Sequence, residues 1–341
     1  MAASPLGLFR LEDLPGPRDL GLIGGVLVIL ATATAVLRVL RHRPDSALDP
    51  AILETFRLRL RAWWILCAVL AGAFFLGHVA TVILFGLISF WALREFITLT
   101  PTRPGDHRAL FWVFILFTPA QYVLVGLGAR YYDLFSLLIP VYAFLLIPAR
   151  IAMSGDAKRF LERAAKIQAG LVICVYCLSY APGLLTLVQL PNPDDHFRNS
   201  RLLFFFVLMV QLSDALQYAW AQLPSRHVIA PAINAAKTWE GLLGGTASVA
   251  LLGAVLWWAT PFDFLTASGM CAVIAVMGFA GGLTMSAIKR DRGVKDYGTL
   301  VEGHGGVLDR IDSICFAAPV FFHLTKLYVD WLSATAGSTP G

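Results

Sequence analysis

Residues 286–313 read SAIKRDRGVKDYGTLVEGHGGVLDRIDS, a charged stretch set between two long apolar runs. It gathers Lys289, Arg290, Arg292, Lys295 and Arg310 with Asp291, Asp296, Asp309 and Asp312, around the tetrad Gly303-His304-Gly305-Gly306. Cations at this density can hold a polyanion, arginine forking onto phosphate oxygens and lysine acting as a point charge. The interleaved acids would repel such a ligand unless they pair locally or carry a divalent metal. Mg²⁺ is the natural guest, because it takes one or two carboxylates plus phosphate oxygens and keeps several waters. With a helix starting near Leu308, Asp309 and Asp312 share one of its faces, and their charge suits its N-terminus. The glycines beside His304 let backbone come close to a ligand. The plainer alternative, a solvated juxtamembrane loop on anionic headgroups, accounts for the cations but not for the acids or the glycine tetrad.

The order and spacing of Ser286, Lys289, Arg290, Lys295, Asp296, Gly298, His304, Gly305, Gly306, Asp309, Arg310 and Asp312 resemble the signature of the phosphatidate cytidylyltransferases, or CDP-diacylglycerol synthases. Upstream, Ser213-Asp214 with Tyr218, and Lys237-Thr238-Trp239-Glu240-Gly241 with Gly244-Gly245, resemble that family's other polar blocks. The resemblance is specific in the C-terminal third and elsewhere covers only membrane architecture. It implies a reaction of CTP with phosphatidic acid giving CDP-diacylglycerol and pyrophosphate, in phospholipid biosynthesis, and a homodimer. In that reading a phosphate oxygen of the lipid attacks the α-phosphorus of CTP, and fixed cations with Mg²⁺, with room for a second cation, offset the charge. Asp309 and Asp312, with Asp214 or Asp296, fall to the metal. Lys289, Arg290, Lys295 and Arg310 fall to phosphates and Lys237 to the lipid phosphate. Ser286, Gly305 and Gly306 line the substrate, and His304 is a positioning donor.

Three positions depart from the family pattern. Where it carries Gly-Asp four residues ahead of the signature serine, this chain has Gly281-Gly282; Glu302 replaces a proline; and Asn234-Ala235-Ala236-Lys237-Thr238 stands for Ser-Pro-Lys-Lys-Thr. The first removes an acid from the metal set, the third removes a cation, and Glu302 offers a replacement acid two residues from His304.

Composition sets the broad class. Of 341 residues, 57% are hydrophobic and only 14% charged, with a mean hydropathy of +0.70. Such a chain is too apolar for an ordinary soluble domain and reads as an all-α polytopic membrane protein. The net charge of +5 comes largely from loops, which points to membrane orientation rather than to nucleic acid. The cysteines fall in or beside apolar runs and read as small buried hydrophobes, the Cys174–Cys177 pair included.

Taken in order, an apolar run from Leu20 to about Leu40 is trailed by Arg38, Arg41 and Arg43, the reverse of a signal peptide, and reads as a first span. The region from Trp63 to about Leu93 allows two short spans broken near Gly77-His78. Further spans are expected at about 109–128, 134–149, 167–187, 202–222, 239–260, 265–285 and 314–332. The span at 202–222 places Gln211, Asp214 and Tyr218 on one face, and an ionisable group inside a span is expensive, so Asp214 is a site residue by default. Ten crossings put the basic segments 41–62 and 150–166, the linker 224–237 and the signature on one face, cytoplasmic by the positive-inside rule. The expected organisation is thus N-terminal membrane helices over 1–200 and a catalytic membrane region over 201–341, in the inner membrane. The rival readings are a CTP-dependent transferase or kinase on another lipid acceptor, and a transporter, for which the inverted repeats and paired broken helices are lacking.

Overall fold

The structure, a computed structural model, describes residues 17–42, 77–99, 102–190, 198–223, 227–298 and 305–336, with a few single positions between 54 and 72. Its helices are α1 (Pro17–His42), α2 (His78–Leu99), α3 (Pro104–Leu127), α4 (Ala129–Ala152), α5 (Phe160–Thr186), α6 (Arg198–Trp220), α7 (Trp239–Val255), α8 (Phe264–Asp291) and α9 (Leu308–Ala336). Six of them, α2 to α6 and α8, are long and apolar enough to cross a membrane. With no water in hydrocarbon to satisfy backbone groups, helices are the expected solution, and the chain is an integral membrane protein.

The helices are mostly longer than the apolar runs that announced them. The runs expected at 109–128 and 134–149 are the cores of two 24-residue helical segments. Between Trp63 and Leu93 the break does fall at Gly77, which adopts φ +90°, but α2 then runs 22 residues, a full span, to Leu99. Most of the first half of that region lies outside the described residues, as does most of segment 41–62. The linker expected at 224–237 is instead largely a hairpin, β1 (Val228–Ala230) antiparallel to β2 (Asn234–Thr238). Ile233 N–H donates to Ala230 O at 3.0 Å, closing a turn with Pro231 at its second position, where a fixed φ is favoured. Glu240 closes the base, accepting from His227 N–H at 2.9 Å and lying 2.6 Å from His227 Nδ1.

Four helices form the half that builds the site. α8 lies between α7 and α9, and α6 packs on α7. Small residues set these distances: a Cβ on Gly245 would lie 2.5 Å from Gln217 Cγ, and one on Gly281 2.8 Å from the Asp312 carbonyl. Small residues at helix contacts are what close packing in lipid requires. Gln217 Nε2 ties α6 to α8, donating to Ser213 Oγ and to Ala275 O, each at 2.9 Å. Tyr180, Phe205, Phe206, Phe321 and Phe322 are fully buried in the core, while Leu145, Leu251 and Leu265 are exposed on the outer surface.

The two ends of the bundle differ in charge. At one end Arg163, only 5% exposed, donates to Asp106 Oδ1 at 3.0 Å, to Asp156 Oδ2 at 2.9 Å and to Lys158 O at 2.7 Å. Arg103 reaches the same Asp156 carboxylate at 3.0 Å and holds it below the usual carboxylate range. This cluster locks the α2–α3 and α4–α5 connections together, so part of the basic segment 150–166 is internally neutralised. The opposite end carries the Tyr132, Tyr176, Tyr180 and His323 cluster.

Candidate active site

At the charged end, α6, β2, α8, α9 and the segment after α8 enclose a cavity of ≈ 350 Å³, within the range of roughly 300–1,000 Å³ typical of small-molecule sites. α6 contributes Gln211, Asp214 and Tyr218 from one face; β2 contributes Asn234, Lys237 and Thr238; α8 contributes Gly282, Ser286 and Lys289; and Asp296, Asp309, Arg310 and Asp312 complete the wall. The hairpin missed in the sequence is therefore what delivers Lys237. Thr238 ends β2 as the N-cap of α7, its Oγ1 accepting from Gly241 N–H at 3.0 Å. Asn234 Nδ2 donates to Ser286 Oγ at 3.0 Å, fastening the strand to α8.

The start of α9 is built from carboxylates. Asp309 Oδ1 accepts from Lys289 Nζ at 2.8 Å, while its Oδ2 accepts from Tyr297 N–H at 2.8 Å and Gly306 N–H at 2.9 Å. Glu95, from the far-off helix α2, accepts from Val307 N–H at 3.0 Å through Oε1 and from Leu308 N–H at 2.9 Å through Oε2. These contacts explain the glycines. A Cβ on Gly306 would lie 2.3 Å from Glu95 Oε2, one on Gly298 2.8 Å from Glu95 Oε1, and one on Gly305, which sits at φ +81°, 2.8 Å from Asp309 Oδ2. The close approach expected toward a ligand is thus, at Gly306, an approach to a protein carboxylate.

A second acid pair lies one helical turn further along. Ser313 Oγ donates to Asp214 Oδ1 at 3.0 Å and Ser313 N–H to Asp312 Oδ1 at 2.8 Å, so one serine carries both carboxylates. Lys237 stands beside them: a Cβ on Gly282 would lie 3.2 Å from Lys237 Nζ and 3.8 Å from Asp312 Oδ2. The ammonium also lies 4.6 Å from the Phe279 ring centroid, a cation–π contact. An aspartate at the family position would meet the Lys237 ammonium directly.

The cavity lining brings together Asp214, Lys237, Ser286, Lys289, Asp296, Asp309, Arg310 and Asp312. It does not include Arg290 or Lys295: Arg290 donates from Nε to Ile233 O at 3.2 Å, bracing the hairpin, and Lys295 is exposed. Gly305 and Gly306 shape the turn beside it. His304 and Glu302 lie outside the described residues. Glu95 was missed because it is remote in sequence, although an acid inside an apolar helix is the signal that singled out Asp214.

A cation fits this lining, on the chemistry of its donors. Four carboxylates and three cations line the cavity, so the wall by itself does not neutralise a polyanion. Among the described residues no group of three acids, histidines or cysteines converges to hold a metal ion by itself. The Asp214–Asp312 pair nevertheless meets what Mg²⁺ needs when phosphate oxygens supply further ligands. Asp309 fits less well, since Lys289 and two backbone N–H groups already engage it.

A cavity that joins lysine, arginine and carboxylates at the end of a membrane helix bundle suits an enzyme that handles phosphates. The chain belongs to the cytidylyltransferase family, whose pattern it matches over residues 57–328, and is a nucleotidyltransferase. It is similar to the uncharacterized protein YnbB of Escherichia coli (strain K12), 37% identical over 275 residues covering 79% of this chain and 87% of that one. It is also similar to the phosphatidate cytidylyltransferases of Staphylococcus saprophyticus, 28% identical over 69% of this chain and 85% of the relative, and of Bacillus subtilis (strain 168), 27% identical over 77% and 97%.

Proposed function

We propose that this protein transfers the cytidylyl group of CTP to phosphatidate, releasing pyrophosphate and leaving CDP-diacylglycerol in the membrane. The observation that carries the reading is the convergence of Lys237, Lys289 and Arg310 with Asp214, Asp296, Asp309 and Asp312 in one cavity at the end of an apolar bundle. There a water-soluble triphosphate can meet a lipid whose acyl chains stay in hydrocarbon.

A lipid phosphate oxygen attacks the α-phosphorus of CTP as the bond to the β-phosphate breaks. Phosphatidate is already an anion, so no general base is called for; the barrier is repulsion between two polyanions. Lys237, on β2 beside α8, takes the lipid phosphate. Lys289 and Arg310 take the nucleotide phosphates, Lys289 held in direction by Asp309. Asp214 and Asp312 would hold Mg²⁺, and Asp296, also in the lining, would be the acid for a second cation. When bound, Mg²⁺ supplies charge neutralisation at the phosphates. Arg290 and Lys295, outside the lining, draw the anionic lipid and nucleotide toward the mouth of the cavity.

The site faces the cytoplasm of the inner membrane. The charged end that carries it also holds Arg103, Lys158, Arg159 and Lys166, which supports that orientation under the positive-inside rule. The ten-crossing arrangement, with the spans outside the described residues included, and a homodimer complete the proposal. Purified protein given CTP labelled in its α-phosphate tests it. Label should move into lipid only with phosphatidate and Mg²⁺. Movement of the α-label to another lipid acceptor, or of label from γ-labelled CTP run in parallel, would replace this reading.

A further inference from the structure

Helix N-termini present unpaired N–H groups and a partial positive charge, and so attract phosphate. The N-terminus of α9 opens beside the cavity, yet its first donors are already taken: Gly306 N–H by Asp309, and Val307 and Leu308 N–H by Glu95. Glu95 is 5% exposed and sits near the end of α2, a helix that contributes no residue to the cavity lining. Its carboxylate fills the room that Gly298 and Gly306 leave open. One side chain thereby fixes the segment leading into α9, and the turn that follows carries Asp309, Arg310 and Asp312.

We propose that Glu95 is a positioning residue for the transfer reaction, an internal anion standing where a phosphate would otherwise bind. It sets the direction in which Asp309, Arg310 and Asp312 enter the cavity and reserves the substrate phosphates for Lys237, Lys289 and Arg310. The proposal rests on the cytidylyl-transfer reading above. It adds that the catalytic wall is indexed against the N-terminal helices by a single carboxylate. Glutamine at 95 keeps the shape but turns an N–H toward one of the two backbone donors, leaving that donor unpaired. Alanine removes both acceptors and leaves an anion-sized space.

The test compares wild type, Glu95→Gln and Glu95→Ala, each full-length in detergent or nanodiscs, by amide hydrogen exchange and by kinetics. In Glu95→Ala, exchange at Val307 and Leu308 should rise while that of α8 is unchanged. Its kcat should fall on the order of a hundredfold, the cost of misplacing reacting groups by about one ångström, with KM for CTP little changed. Added formate should enter the space, slow the exchange again and restore part of kcat in Glu95→Ala while leaving wild type unaffected. Unchanged exchange at Val307 and Leu308 in Glu95→Ala overturns the proposal, as does wild-type kcat in either variant, or a kcat that formate does not raise. If Glu95→Ala fails to accumulate, Glu95→Gln carries both measurements. A wild type that makes no CDP-diacylglycerol sinks the proposed function instead, and the exchange and formate arms still decide whether Glu95 holds the turn.

Discussion

Asp309 and Asp312 share a helix face and a cavity but differ in what already holds them. Asp309 is engaged by Lys289 and two backbone N–H groups, with side-chain exposures of 9% and 15% for the ion pair. Breaking a buried pair by neutralising one partner costs about 3–5 kcal/mol, so Asp309→Asn should lower the melting temperature as well as turnover. Burial, and after it the charge of Asp214, disfavour the Asp312 carboxylate, and Asp312→Asn should abolish turnover with melting unchanged or raised. Thermal melting beside CTP turnover checks the pair; a loss of stability in Asp312→Asn alone would reverse the two roles. At Gly282 a new carboxylate would meet Lys237 and stand beside Asp312. Gly282→Asp is therefore expected to lower the Mg²⁺ concentration for half-maximal activity and raise the phosphatidate concentration needed, read from two titrations. The signature acids were legible because their spacing is local. Glu95 was not, since the donors it satisfies are more than two hundred positions away.

The hairpin between α6 and α7 shows where pattern reading fell short at the level of elements. Three residues of β1 and five of β2 are too few for an alternation to register, and Pro231 reads as an interruption. Helices were easier: Gln211, Asp214 and Tyr218 fell on one face as their spacing required, and all three line the cavity. Their ends were less legible, because polar first and last turns extend a helix beyond its apolar run. The turn before α9 is the element most exposed to small changes. Gly306→Ala would push a methyl against Glu95 Oε2, and a loss of about 1–3 kcal/mol, the range for overpacking, is expected with loss of activity, measurable by melting and turnover. At the other connection, Arg103 keeps Asp156 depressed below its usual value of 3.8. A depressed carboxylate adds stability above its unfolded pKa and loses it as pH falls through the folded one. The clamp on Arg103 and Arg163 should therefore survive below pH 3.8 and fail only as pH falls through the depressed folded value, whereas Asp156→Asn should lack this acid transition.

Across the whole molecule, apolar content dictated helices, while the positive-inside rule supplied an orientation for labelling to test. Single cysteines replacing Ala230 in the hairpin and Asp291 at the end of α8 should be labelled by an impermeant reagent from the cytoplasmic side alone, and labelling from outside would invert the molecule. Sequence left the relation of the N-terminal helices to the catalytic half undetermined, because that relation rests on Glu95 and on close helix contacts rather than on any periodic signal. A wall with more carboxylates than cations also imposes an order of arrival. On the proposed function, nucleotide stripped of its divalent ion would meet a surface that does not welcome it, and CTP is expected to enter as its metal complex or to follow an ion already seated. Calorimetry with CTP in a chelator should therefore be silent, and heat should appear when Mg²⁺ is restored. In a cell, the enzyme's grip on its nucleotide would then follow free magnesium as closely as it follows CTP itself.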